Sequence, residues 1–89
     1  MPIEISHAQV KDFGETKRIF DSRAELRTSF GALSEKIYRS DDNPNMITIV
    51  IEWDSLANAR KYAKSPELKP AQQKAGIVGS PTTYFLNEA

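Results

Sequence analysis

The chain has 89 residues, enough for one domain over residues 1–89 with a thin core, because a domain this small buries only about 60–65% of its unfolded surface. With no cysteine and one histidine, disulfides and thiolate metal sites are excluded, and zinc would need three carboxylates beside that histidine, so no metal site is expected. Twelve basic and twelve acidic residues cancel and are interspersed, which argues against a nucleic-acid partner, since such binding rests on a basic excess.

Small domains reinforce a thin core with disulfides, a metal or a partner subunit, and self-association is the device left here. The opening residues Met1 to His7 hold neither a positive n-region nor an apolar h-region. The longest apolar stretch, residues 47–51, is too short to span a bilayer. These features predict a cytoplasmic protein with no membrane partner.

In chain order, residues 3–10 alternate as a strand. Asp12 then reads as an N-cap, with Glu15 completing a capping box, and a helix follows over roughly 13–22. Phe13, Lys17, Phe20 and Ala24 recur at helical spacing, with Thr16 beside them. Residues 23–31 suit either a longer helix or a loop, ended by Gly31. Residues 33–40 form a second strand, with Leu33, Glu35, Ile37 and Arg39 on one face and Ser34, Lys36 and Tyr38 on the other. Residues 41–45, Asp-Asp-Asn-Pro-Asn, are the strongest turn signal in the chain. They predict a hairpin into a third strand over residues 46–53. Asp54 or Ser55 caps the next helix, with a stripe of Leu56, Ala59, Arg60 and Ala63. A second helical piece starts at Ser65-Pro66, contains Pro70 and stops at Gly76. Gly79-Ser80-Pro81 leads into a last strand over residues 82–87.

Strand, helix, strand, strand, broken helix, strand is the order of a ferredoxin-like α+β fold, a βαββαβ sandwich with a four-stranded antiparallel sheet and helices on one face. In the third strand Ile47, Ile49, Ile51 and Trp53 share one face, and Met46 and Val50 keep the other largely apolar. A strand apolar on both sides needs cover on both. Both crossovers turn with one hand, so the helices cover one side only. A homodimer is the economical cover for the second.

An ordered series of short pieces then carries a resemblance. It runs from Val10-Lys11-Asp12-Phe13 through Ile37 to Asn45 and Glu52-Trp53-Asp54, then to Ser65-Pro66-Glu67-Leu68, Ala75-Gly76-Ile77 and Pro81. Over residues 8–87 the chain resembles the antibiotic-biosynthesis-monooxygenase-like branch of the dimeric α+β barrel superfamily. The resemblance implies two ferredoxin-like subunits paired sheet to sheet, a cavity in or beside the barrel, and cofactor-free oxygenase chemistry on aromatic or quinol substrates in some members. Others are cyclases, isomerases or haem-degrading enzymes, so fold is implied more strongly than activity. Two positions depart from the pattern. Relatives often carry a tryptophan where this chain has Thr16, and a histidine where it has Ala8. His7 is offset by one, which in a strand turns it to the opposite face.

The candidate catalytic residues are His7, Tyr38 and Glu52. His7 alone titrates near neutrality without perturbation, and its place in a central strand predicts partial burial; it is either a proton shuttle or a hydrogen-bonded strand residue. No helical histidine exists to ligate haem, and no cofactor is expected. Ser34, Lys36 and Tyr38 with Thr48 and Glu52 make either a polar-aromatic wall or a simple Lys36–Glu52 cross-strand pair. Arg27, Thr48, Trp53 and Tyr84 are the candidate ligand contacts. Trp53 is alternatively core, and Tyr84 and Phe85 face opposite sides of the last strand. Arg23 and Arg27, four apart, either receive an anion or form a solvated helix end beside Glu25. Phosphate-binding glycine loops, nucleophile elbows and zinc-helix motifs are absent. Two functions remain: a cofactor-independent monooxygenase-like enzyme acting on a small aromatic molecule, and a non-catalytic homodimeric binding or structural module.

Overall fold

A computed structural model describes residues 1–89. Its elements are β1 (Ile3–Val10), α1 (Phe13–Ser22), α2 (Ala24–Phe30), β2 (Ala32–Arg39), β3 (Met46–Trp53), α3 (Leu56–Ala63), α4 (Leu68–Lys74) and β4 (Ile77–Leu86). The strands form one antiparallel sheet in the order β2-β3-β1-β4, with all helices on one face. This is the expected βαββαβ ferredoxin-like fold, and the two central strands are β1 and β3. No helix is long and apolar enough to cross a membrane.

Local chemistry sets most boundaries. The Asp12 carboxylate accepts from the Gly14 amide at 3.2 Å and starts α1. Glu15, expected to close a capping box, instead pairs with Arg18 one turn on, where a guanidinium fork offers charge-assisted bonds. Residues 24–30 form a separate helix, because Arg23 breaks the helical path between α1 and α2. Gly31 ends α2 at φ 113°, a conformation that disfavours any residue with a Cβ. Ser55, not Asp54, caps α3 by accepting from the Asn58 amide. The expected helix start at Pro66 moves to Leu68, and Pro70 falls in the first turn of α4, where its missing amide proton leaves no bond unmade.

Two strand irregularities depart from simple alternation. Between Ala32 and Ser34 the register with β3 shifts, so Ala32 enters the core and Leu33 stands 51% exposed. A second shift places Gly79-Ser80-Pro81 inside β4 as a bulge opposite His7–Gln9, not before the strand. An edge strand tolerates that proline, since its outer side needs no donor.

The core lies between the sheet and the helices in two clusters. Ala32, Ile51, Trp53, Ala59 and Tyr62 form one, and Ala8, Val10 and Ile47 the other, with Ile49 packed against both. Tyr62 takes the inward position on α3 expected of Ala63, stacking near Trp53 and edge-on to Phe30 at 5.4 Å. The opposite face of the sheet carries no helix. Tyr38, Met46, Val78, Tyr84 and Leu86 stand exposed there, around Ile5 and Val50 of the central strands.

A Cβ on Gly31 would collide with the Asp54 carboxylate, whereas one on Gly79, also at positive φ, meets nothing within 4 Å. Gly79→Ala is expected to destabilise by about 1–2 kcal/mol from backbone conformation alone. Gly31→Ala should exceed it by at least about 1 kcal/mol through added overlap. Urea melts of both variants check this, and equal losses contradict it.

Candidate functional site

β1 alternates Ile3, Ile5, His7 and Gln9 toward the open face with Glu4, Ser6, Ala8 and Val10 toward the helices. Glu4 is therefore carried under the helical layer, where it is 6% exposed. Its neighbour on that face is Trp53, fully buried at the end of β3. The indole Nε1–H donates to Glu4 Oε1 at 2.9 Å. Desolvation raises the Glu4 carboxyl above its ordinary value of 4.5, opposed by hydrogen bonds from Trp53 and Ser6.

Beside Glu4 a cavity of about 100 Å³, partly open to solvent, lies where the two core clusters meet. Its apolar wall includes Ile19, Ile49, Ile51 and Leu68, and its polar contributors include Glu4, Ser6, Thr16, Arg23, Arg27 and Gln72. Thr16 is locked in place: its hydroxyl donates to the Ala75 carbonyl at 2.6 Å, tying α1 to the end of α4. Arg27, 3% exposed, donates from Nε to Glu35 at 2.6 Å and from Nη2 to the Phe20 carbonyl at 2.7 Å, with its guanidinium 3.8 Å over the Phe20 ring. Arg23 Nη2 is buried with no partner. The two arginines therefore belong to the cavity and not to a solvated helix end, because α2 packs back over the sheet.

The sheet divides the sequence-derived candidates. Arg27 and Trp53 face the helices, with Arg27 on the cavity wall. His7, Tyr38, Thr48, Glu52 and Tyr84 face the open side. There Tyr38, Thr48, His7 and Thr82 lie in register as one row across four strands. His7 Nδ1 is 2.8 Å from Thr48 Oγ1, and its ring meets Tyr84 edge-on at 6.3 Å. His7 is exposed in the single chain, not partly buried, because the second sheet face has no cover. Glu52 lies opposite Ile3 and Ser34, away from that row, and makes no ion pair with Lys36. Glu4, Ser6, Thr16 and Gln72 were not among the candidates. No group of three or more His, Asp or Glu side chains is arranged to hold a metal ion.

The family model for antibiotic biosynthesis monooxygenases matches residues 4–74. Among solved structures, an antibiotic-biosynthesis-monooxygenase-like protein from Bordetella bronchiseptica superposes with a TM-score of 0.82 at 16% identity, covering 99% of this chain and 96% of its own. SnoaB, a cofactor-independent oxygenase from Streptomyces nogalater, gives 0.81 at 14% identity, covering 99% and 92%. A conserved protein from Methanosarcina mazei gives 0.78 at 17%, covering 100% and 94%. These likenesses establish the fold. No curated protein matches the chain in sequence.

A carboxyl whose folded-state pKa is raised favours folding at low pH, and that contribution is lost as pH rises through the raised value. Glu4→Gln keeps an acceptor for the Trp53 indole and cannot ionise. The variant should match the parent in Tm below pH 4.5, then gain on it as pH rises toward 8. Paired thermal melts across that range check the sign; a variant that loses ground with rising pH contradicts the burial of an ionisable Glu4.

Proposed function

Because this chain belongs to the antibiotic biosynthesis monooxygenase family, a family of dimeric α+β barrels, we propose that it is a cytoplasmic, homodimeric, cofactor-independent monooxygenase acting on a small hydroxylated aromatic or quinol. The observation that carries this reading is Glu4: a carboxyl held on an apolar cavity wall, with burial drawing its pKa toward the working range of a general base. Trp53 positions it through the indole hydrogen bond.

In this reading the substrate ring lies against Ile49 and Ile51, and Glu4 accepts its hydroxyl proton. The cationic walls of Arg23 and Arg27 favour the anion that forms. The electron-rich substrate then reduces dioxygen directly. One oxygen atom enters the ring as a carbonyl and the other leaves as water, with all four electrons supplied by the substrate. The protein contributes a base, an electrostatic environment and partial exclusion of water.

The open face belongs, in the same proposal, to the seam with a second copy. His7, Thr48, Tyr38 and Tyr84 line the barrel interior, with Glu52 near its rim. Their apolar neighbours Ile5 and Val50 supply the burial that holds the subunits together.

Two measurements test these parts separately. Oxygen uptake is expected with at least one member of a quinol and anthrone panel, and Glu4→Gln should lower kcat by at least about 100-fold. Absence of uptake across the panel leaves the binding-module reading. Sedimentation at micromolar concentration should give twice the 10.0 kDa chain mass. Val50→Glu should return the monomer, and a parent that sediments at 10.0 kDa refutes the homodimer.

A further inference from the structure

The two cavity arginines are in different electrostatic states. Arg27 is engaged on every side, with Glu35, the Phe20 carbonyl and the Phe20 ring as partners. Arg23 takes part in none of the ion pairs of the molecule, and its Nη2 is buried without an acceptor. Buried donors in native proteins are paired almost without exception, so an orphaned guanidinium nitrogen marks a missing partner. The only carboxyl on the same wall is Glu4, already bonded to Trp53. Arg23 is thus left without an anionic partner in a mainly apolar setting.

Size sets a second limit. The cavity measures about 100 Å³, while an apolar cavity that takes up benzene measures about 150 Å³. One ring fits with part of it in the mouth, whereas a fused polycyclic system leaves more of its apolar surface outside.

We propose that the cavity selects a single aromatic ring bearing one anionic group, a hydroxylated benzoate-type acid, with its carboxylate on Arg23 and its ring on the Ile19, Ile49 and Ile51 wall. The inference rests on the cavity being the reaction pocket and narrows the quinol class to acids of one ring. Arg23 joins the C-terminal end of α1 to the start of α2, so the same residue that shapes the helical break supplies the anion contact.

Isothermal titration of the full chain with 2,5-dihydroxybenzoate, hydroquinone and 1,4-dihydroxy-2-naphthoate reads this directly. The one-ring acid is expected to bind about tenfold more tightly than hydroquinone, the strength of one charge-assisted contact, and more tightly than the two-ring acid. Arg23→Gln should bring the acid-to-quinol ratio close to one, and Arg23→Lys should retain part of it, with far-UV circular dichroism confirming that both variants fold. Equal affinities in the parent, a ratio that survives Arg23→Gln, tighter binding of the two-ring acid, or no binding of the one-ring acid would each overturn the inference. Its failure is separable from that of the oxygenase reading: turnover of neutral quinols without preference for acids defeats only the former. Selective acid binding without oxygen uptake defeats only the latter.

Discussion

The hydrogen bond from the Trp53 indole to the Glu4 carboxyl ties the two central strands together beneath the helical layer. Both groups are buried, and each satisfies the other's polar requirement where water cannot. Remove the indole and an ionisable group is left in an apolar wall; remove the carboxyl and an N–H is orphaned. The rest of the helix-side packing closes around this pair. Tyr62 rests near Trp53, Phe30 on Tyr62, and Ala32 enters beside them through the β2 bulge. The incomplete closure next to Glu4 is the cavity. Burial of Glu4 therefore works against folding as pH rises above the ordinary carboxyl range.

The two faces of the sheet do different things with similar residue types. On the helix side, polar groups are few and nearly all are committed: Thr16 to Ala75, Arg27 to Glu35 and Phe20, Glu4 to Trp53. Against that background the free nitrogen of Arg23 stands out. On the open side the polar row of Tyr38, Thr48, His7 and Thr82 crosses a surface flanked by Ile5, Val50, Met46 and Tyr84. Such a mixed surface suits a subunit seam, where a hydrogen-bonded row fixes register and apolar side chains supply area.

The element order, the hairpin at residues 41–45 and the inward face of β3 were legible because they depend on local signals: turn residues, strand alternation and the caps at Asp12 and Gly31. The apolar character of the second sheet face was also legible, from Met46 and Val50 of β3. What escaped was set by register and packing. The bulges at Ala32–Ser34 and Gly79–Pro81 decide which residues face inward, and no local preference announces them. Tyr62 displaced Ala63 from the inner stripe because the gap beside Trp53 is large enough for a ring. Glu4 was hidden by its neighbours: Ile3 and Ile5 make the opposite face look like the core face of β1. The one available signal was positional. β1 is a central strand with the helical layer over one face, so a carboxylate on that face had to be buried, which marks it for attention.

Trp53 is the only tryptophan, so its indole N–H gives one isolated resonance, bonded to the Glu4 carboxyl of the cavity wall. Titration of the labelled protein with 2,5-dihydroxybenzoate, followed by ¹⁵N–¹H correlation spectra, tests whether ligand chemistry resides on the helix side of the sheet. The account predicts a saturable shift of the Trp53 indole and of the Ser6, Thr16 and Arg23 amides. Shifts confined to His7, Thr48, Tyr84 and their open-face neighbours, with the indole unmoved, would contradict it.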